Sequence, residues 1–209
     1  MVRFLPKIAT FVCLVLGAPV AAGAQEATPA PIVDPCTVET RNLLPLFREM
    51  VATPQASPAA TVETPTPPVG LPADEATVAA VTATVDELIA CVNGGYQFRW
   101  LFLFTDDYLR ENLAGVVGDV DPADLPAIAA AAEAEVGPAT PAATTDQTVI
   151  QEVRDVQVLP DTRVVATVVG GNLNNTEAAS PAYFIFVRSG DRFLIDDIIR
   201  SPSQATPPA

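Results

Sequence analysis

The side chains that could do chemistry in this chain are carboxylates, arginines, tyrosines and cysteines, because the sequence contains no histidine. Without an imidazole, Ser-His-Asp triads, Cys-His pairs and the HExxH zinc helix are all excluded. The single lysine, Lys7, lies in a segment that we expect to be removed, so the mature chain also lacks a Schiff-base amine. We therefore expect no cofactor and no metal site. Any chemistry must use carboxylates, Arg, Tyr or Cys, and a non-enzymatic protein is favoured.

Two adjacent acidic pairs, Asp106-Asp107 and Asp196-Asp197, are the candidates for acid–base catalysis. The first pair follows Thr105, which can cap a helix whose first turn favours negative charge. On a strand, neighbours point to opposite faces, so only one carboxylate of the second pair could point inward. We interpret the first pair as helix-start charges and the second as surface charges.

Cysteine use indicates an oxidised pair. Cys13 lies in the N-terminal apolar run and leaves with it, and an even pair in an exported protein favours a disulfide between Cys36 and Cys91. The alternatives are a free buried thiol and a nucleophile. Neither cysteine has a base nearby in the sequence, which argues against the nucleophile.

Residues 1–24 have the pattern of a secretory signal peptide. They combine a positively charged start, an apolar run at 8–16 and small residues at Ala22 and Ala24. The apolar run is shorter than the ~20 residues that a membrane-spanning helix needs. We expect cleavage before Gln25, which predicts a secreted protein or one on the exterior of the cell envelope, with no membrane span after cleavage.

The charge balance is strongly acidic, with 25 Asp and Glu residues against 11 Lys and Arg residues and a net charge of −14. A protein that binds nucleic acid needs clustered cations to release counterions from phosphates. The arginines here are scattered, so we expect no nucleic-acid partner.

Pro-Thr-Ala-rich stretches divide the chain. We expect disorder at 25–35 and 201–209, a short helical segment at 36–52 and a linker at 53–73. From residue 74 onward, hydrophobic periodicity and turn residues predict three helices, at 74–93, 96–104 and 121–136, with a short turn starting at Thr105. Four strands follow, at 148–159, 163–170, 182–188 and 192–199. Helices before a contiguous meander predict an α+β fold, in which a curved antiparallel sheet covers the helices.

Three motifs in this order carry a family resemblance. They are Asn93-Gly94-Gly95 at a helix end, Thr105-Asp106-Asp107 after a short helix, and a closing hairpin around Ser189-Gly190-Asp191. Residues 74–200 therefore resemble the nuclear transport factor 2-like superfamily, the SnoaL-like or cystatin-like cone. Residues 36–41 with their Thr-Pro linker look like exported bacterial members of uncharacterised function.

The resemblance implies a cone-shaped sheet, with helices first and a four-strand meander last. The superfamily contains enzymes, small-molecule binders and protein-interaction modules, so the fold does not choose among them. SnoaL-like cyclases depend on histidine, which is absent here. Ketosteroid isomerases use Asp and Tyr residues, and limonene epoxide hydrolases use an Asp-Arg-Asp set. The residues here match neither motif one for one, so no catalytic role is transferred.

A cone of this kind would place a set of aromatic and acidic side chains around its interior. The candidates that line it are Trp100, Phe104, Tyr108, Tyr183 and Asp197. We interpret the aromatic members mainly as core, although a cone lined this way could hold an apolar ligand.

The favoured function is an exported, non-enzymatic binding or interaction module for a small apolar ligand or a protein partner, with a homodimer as one arrangement. One alternative is a cofactor-free isomerase, dehydratase or hydrolase acting on a small apolar molecule, which requires an inward carboxylate near Tyr108 or Tyr183. A second alternative is a structural component of the cell envelope, favoured if the cone cavity is smaller than about 300 Å³.

Overall fold

The computed structural model describes residues 36–52, 67–134, 147–172 and 179–200, all within the unit Asp34–Ala209. These residues form an α+β fold of four α-helices, one 3₁₀ helix and a five-stranded antiparallel sheet. The helices are α1 Leu44–Ala52, α2 Glu75–Asn93, the 3₁₀ helix Arg99–Leu103, α3 Asp106–Val117 and α4 Leu125–Glu133. The strands are β1 Leu71–Pro72, β2 Thr148–Val158, β3 Val164–Asn172, β4 Ser180–Ser189 and β5 Arg192–Arg200.

Several predictions lie outside the described residues. They are the signal peptide at 1–24, the disorder at 25–35 and 201–209, and the linker between residues 53 and 66.

Helix α2 forms as predicted because both of its ends carry strong signals. At its start, the Asp74 carboxylate accepts a hydrogen bond of 2.7 Å from the backbone N–H of Thr77, which also lowers the pKa of Asp74. At its end, Asn93 is followed by Gly94 and by Gly95, whose φ of 78° is a left-handed conformation that glycine adopts without strain.

The helix predicted at 96–104 is wrong in type and extent, since only Arg99–Leu103 is helical, as a 3₁₀ helix. Phe104 leaves it in an extended conformation and forms a parallel bridge with Ile195 of β5. The backbone N–H of Thr105 then donates to the carbonyl of Ile195 at 2.9 Å. Because Phe104 pairs with the sheet edge, the helix ends at Leu103 and does not continue as an α-helix.

The sheet has the order β1-β2-β3-β4-β5, and its last four strands confirm the four predicted ones to within two residues at each end. The prediction missed β1, which lies in the stretch assigned to the linker and precedes α2. A Cβ on Gly70 would lie 2.3 Å from the carbonyl oxygen of Val158, so only glycine allows the chain to approach β2 this closely. Pro72 is tolerated because β1 is an edge strand.

Strand β2 is interrupted by two register shifts, between Ile150 and Glu152 and between Arg154 and Gln157. Asp155, inside the second shift, has a left-handed φ of 51°. Bulges of this kind bend a strand and strengthen its twist, so they contribute to the curvature of the sheet.

The two faces of the sheet support separate apolar clusters. The inner face, which includes Phe186 and Ile195, packs with the helices in the main core. The opposite surface, called the outer face below, carries a smaller cluster of Leu159, Val165 and Ile185, against which Tyr183 and Ile199 pack.

The N-terminal segment is joined to the core by the predicted disulfide, since Cys36 and Cys91 are bonded and both are buried. Leu43 and Phe47, which belong to this segment, are also buried in the main core. Arg41 forms an ion pair with Asp106, and its Nη2 donates a hydrogen bond of 2.8 Å to the carbonyl of Phe104. The disulfide, apolar packing and hydrogen bonds thus attach this segment independently of one another.

Candidate functional site

The predicted cone-lining aromatics Trp100, Phe104 and Tyr108 pack against one another on the inner side. The Trp100 and Phe104 rings meet edge to face with centroids 5.7 Å apart, and Phe104 stacks on Tyr108 at 4.4 Å. Phe104 is only 3% exposed, and the other two pack around the main core. These three rings therefore act as core side chains.

Tyr108 is the half-buried end of this aromatic stack. Burial raises the pKa of Tyr108, with smaller contributions from the negative charges of Asp197 and Glu111, while the positive charge of Arg200 lowers it. Its hydroxyl forms no hydrogen bond with another described residue, so it lacks the hydrogen-bonded carboxylate that an acid–base site would supply.

The first acidic pair occupies a helix start, as predicted. Thr105 caps α3 by accepting a hydrogen bond from the backbone N–H of Tyr108, and the pair forms the first turn. Asp106 pairs with Arg41, and Asp107 with Arg110 at 2.7 Å.

The second acidic pair is divided by a register shift in β5. Asp197 is exposed and accepts a hydrogen bond of 2.7 Å from the backbone N–H of Ile198. Asp196 is the more buried member, accepting a hydrogen bond of 2.9 Å from the hydroxyl of Thr105 and lying 3.4 Å from Arg163 Nη1. Both carboxylates thus have local structural partners, and the bulge that distinguishes them is not visible in the sequence.

Tyr183 lies on the other face of the sheet from Tyr108. Its neighbours in β4, Phe184 and Phe186, join the inner core, whereas Tyr183 packs with Ile185 in the outer cluster. The five predicted cone-lining residues are therefore not brought together in one site.

Tyr183 instead borders a cleft of about 290 Å³ on the outer face, called the outer cleft. Its apolar lining consists of Pro67, Pro68, Val69, Val165 and Pro181. Its polar lining consists of Arg154, Asp155, Gln157, Thr167 and Tyr183. The cleft thus combines apolar contact surface with hydrogen-bonding groups from three neighbouring strands.

The floor of the outer cleft centres on Thr167 and Tyr183, which are directly opposite each other on β3 and β4. Thr167 is only 7% exposed, and neither hydroxyl forms a hydrogen bond with another described residue. Neither oxygen is among the described side-chain atoms that are both buried and unpartnered, so both reach solvent. Both hydroxyls are therefore available to donate hydrogen bonds to a ligand in the cleft.

One wall of the outer cleft is the segment 67–69, held against β2 by the adjoining Gly70. The backbone N–H of Gly70 donates to Gln157 Oε1 at 2.8 Å. This bond occupies the amide oxygen of Gln157. The NH₂ group of the same side chain can still donate a hydrogen bond to a ligand in the cleft.

The charged end of the cleft comes from the second bulge of β2. Arg154 Nε lies 3.6 Å from carboxylate oxygens of both Glu152 and Asp155, which is longer than a hydrogen bond. The guanidinium is half-exposed and keeps donors for a ligand. Arg154 and Asp155 carry opposite charges, so together they favour a neutral ligand.

No family model matches this chain, and no curated protein or solved structure matches it. The assignment of a site therefore depends on the geometry of the described residues alone.

A second cleft, of about 400 Å³, lies where the turns of the sheet meet the first turn of α2, near Thr77. Its arginines are already engaged: Arg163 pairs with Asp161 at 2.8 Å, and Arg188 Nε donates to the carbonyl of Gly190 at 3.3 Å. Neither cleft is lined by Trp100, so neither corresponds to the predicted cone interior. The free hydroxyls make the outer cleft the stronger candidate.

Two further findings apply only to the described ranges. No group of three or more acidic or cysteine side chains there is placed to hold a metal ion. None of the helices described is long and apolar enough to cross a membrane.

Sequence reasoning identified only Tyr183 among the residues of the outer cleft. The sequence signal that could have indicated this cleft is the adjacent charged pair Arg154-Asp155, which interrupts the run of Val, Ile and Gln residues in β2. The positions of Pro67 and Pro68 against the sheet depend on β1, which has no strand signal of its own because it is only two residues long.

Proposed function

We propose that this chain is an exported, non-enzymatic binding module and that the outer cleft is its ligand site. The observation that carries this proposal is the pair of hydroxyls of Thr167 and Tyr183, which lack partners among the described residues at the base of a partly apolar cleft. Pockets that bind small ligands typically combine such an apolar surface with a few polar groups that fix orientation.

Export is part of this proposal. A signal peptide at 1–24, cleaved before Gln25, would deliver the chain to an oxidising compartment, and the Cys36–Cys91 disulfide agrees with that location. Membership of the nuclear transport factor 2-like superfamily is likewise proposed, supported by the α+β architecture and the antiparallel sheet.

The chemistry of the cleft defines the kind of ligand. Tyr183, Thr167, the Gln157 amide and Arg154 all donate hydrogen bonds, while the prolines and Val165 offer apolar contact. The best complement is a neutral molecule or protein segment with apolar groups and several acceptor oxygens. A second copy of the chain remains a candidate partner.

The proposal is tested by two-dimensional NMR of the exported protein with a fragment library of neutral amides and aromatic rings. We expect fragments to shift the signals of Thr167 and Tyr183. Replacing Thr167 by Val, or Tyr183 by Phe, removes one hydroxyl with little change in shape and should weaken binding about tenfold, the value of one hydrogen bond.

Tyr108→Phe is the matched control, because it removes a phenolic hydroxyl on the inner side of the sheet. Fragments that shift Trp100 and Tyr108 instead would locate the site in the cone and contradict the proposal. If no fragment shifts either set, the structural-component alternative is favoured.

An enzymatic role at the outer cleft, rather than in the cone interior first considered, has one supporting observation, since Asp155 lines the same cleft as Tyr183. No hydrogen bond joins these two residues, and Asp155 is well exposed, so binding is the better supported function. An Asp155→Asn variant that keeps fragment binding but abolishes a saturable turnover of a small apolar epoxide or enone would establish the enzyme instead.

A further inference from the structure

The outer cleft offers both kinds of hydrogen-bonding group, donors and an acceptor. The hydroxyls of Thr167 and Tyr183 and the NH₂ group of Gln157 can donate, and Arg154 can only donate. Among the described residues that line the cleft, Asp155 is the only carboxylate, and it can only accept. A ligand with acceptor atoms alone would leave this carboxylate without a bond. A ligand with hydroxyl groups, which both donate and accept, can use every one of these side chains.

The second bulge of β2 places Arg154 and Asp155 on the same cleft. Adjacent residues of a regular strand point to opposite faces. Here the register shift before Gln157 and the left-handed φ of 51° at Asp155 interrupt that alternation, and both charged side chains line the outer cleft. A non-glycine residue in this conformation is strained, and such residues concentrate at binding sites. The strand therefore departs from regular geometry where it supplies a donor and an acceptor to one surface.

The donors of the outer cleft form a row across the sheet. Arg154 lies opposite Thr167 in the pairing of β2 with β3, and Thr167 lies opposite Tyr183 in the pairing of β3 with β4. Neighbouring strands are about 4.8 Å apart, which is close to the separation of oxygen substituents on opposite sides of a six-membered ring. The row is therefore spaced to contact the oxygens of a single ring.

The remaining lining is apolar and small in extent. Val165 and Pro181 offer aliphatic surface, and Tyr183 adds an aromatic ring. A sugar ring has an apolar face made of C–H groups that packs on such surfaces, while its hydroxyls lie around its edge. The cleft volume of about 290 Å³ is at the lower end of the range for small-ligand pockets, which suits one ring and not a long chain.

We propose that the outer cleft binds one ring of a neutral sugar. This inference rests on the proposed function, because it names the ligand class of the same cleft. Asp155 accepts a hydrogen bond from one sugar hydroxyl, and the row of Arg154, Thr167 and Tyr183 donates to the sugar oxygens. The opposite charges of Arg154 and Asp155 favour a neutral sugar over a sugar acid or a sugar phosphate.

The test is two-dimensional NMR of the full exported chain, with the methyl glycosides of glucose, galactose and N-acetylglucosamine as probes. The comparison probe is N,N-dimethylbenzamide, a neutral amide that accepts hydrogen bonds and has no donor. We expect at least one sugar, and also the amide, to shift the signals of Thr167 and Tyr183. A linear tetrasaccharide of the sugar that binds is a further probe. Binding of equal strength supports a ring at the end of a glycan, and weaker binding supports a free sugar.

Asp155→Gly is the main variant, because it removes the acceptor while glycine keeps the left-handed backbone without strain. It should weaken sugar binding at least about tenfold, the value of a hydrogen bond to a charged group, and should not weaken amide binding. Asp155→Asn keeps one acceptor oxygen and should weaken sugar binding less. A melting temperature no lower than that of the unaltered chain verifies that the loss is not caused by unfolding.

Glu152→Gln is the matched control. Glu152 and Asp155 both lie 3.6 Å from Arg154 Nε, but Glu152 is not among the residues that line the cleft. Removing its charge changes the surroundings of the guanidinium without changing the acceptor. Sugar binding should therefore be the same in Glu152→Gln as in the unaltered chain.

Four outcomes overturn the inference. If a sugar binds Asp155→Gly as tightly as the unaltered chain, Asp155 is not the acceptor and the cleft does not recognise hydroxyls in this way. If the amide shifts Thr167 and Tyr183 and no sugar does, the ligand class is wrong and the proposed function stands. If sugars shift Trp100 and Tyr108 instead, they bind on the inner side of the sheet. Signals of Thr167 and Tyr183 that no probe shifts remove both proposals.

Discussion

Removal of the Cys36–Cys91 disulfide should lower the free energy of unfolding by about 4 kcal/mol. The bond joins residues 55 positions apart, and cross-linking a loop of this length removes about that much chain entropy, expressed as free energy, from the unfolded state. The native fold should persist in the Cys36→Ala/Cys91→Ala variant, because Leu43 and Phe47 remain buried in the main core. The less restricted unfolded chain should also expose more surface, which raises the denaturant dependence of the free energy of unfolding.

The assay is urea unfolding followed by the fluorescence of Trp100, the single tryptophan, and by far-UV circular dichroism. The reduced, unsubstituted protein is the control, because it lacks the bond but keeps both side chains. Agreement between the reduced protein and the double variant assigns the effect to the bond. A loss below about 1 kcal/mol in both, with native spectra retained, would refute the entropic reasoning, which predicts a much larger effect. A loss in the variant alone would identify packing of the cysteine side chains as the cause.

Three further predictions concern single residues. Thr105→Ala should destabilise the protein by about 2 kcal/mol, because it removes the α3 cap and the hydrogen bond to Asp196, whereas Thr105→Ser should retain most of the stability in chemical denaturation. Burial raises the pKa of Tyr108 above that of the unfolded chain, so stability is fully present below pH 10 and falls as pH rises through the folded pKa; denaturation midpoints should show a smaller fall in Tyr108→Phe. Asp155→Gly should raise the melting temperature by relieving a left-handed non-glycine residue, and Glu152→Gly, at a position in the same strand whose φ is not left-handed, should lower it.

Local sequence signals predicted much of the fold because the physics that places those elements is itself local. Asp74 before α2 and Thr105 before α3 are side chains that bond to backbone groups three residues away. The later strands have long Val, Ile and Phe runs bounded by turn residues. The disulfide was predicted from the oxidising compartment expected for an exported protein and from the even number of cysteines left after signal removal, without any information on geometry.

The missed features depend on contacts between distant parts of the chain. Phe104 leaves its helix because Ile195, far along the sequence, offers an edge to pair with. Gly70 marks β1 only when Val158 lies against it. The sequence places Tyr183 with Tyr108 because strand alternation alone does not show which face of the sheet meets the helices. In the structure the neighbouring Phe184 and Phe186 occupy the face that meets the helices, and Tyr183 lies on the opposite face.

The irregularity of β2 has a consequence for how this protein behaves at high concentration. Within the described residues, β1 pairs with only the last two positions of β2, which leaves most of that strand along the margin of the sheet. A long, flat margin would act as a template on which other chains add as strands and grow into fibrils. The two bulges and the charges of Glu152, Arg154 and Asp155 make this margin uneven and polar. At its beginning, the side-chain amide of Asn93 exchanges two hydrogen bonds of 2.8 Å with the backbone of Thr148 and blocks that position. The same distortion that shapes one end of the outer cleft thereby opposes amyloid-like assembly.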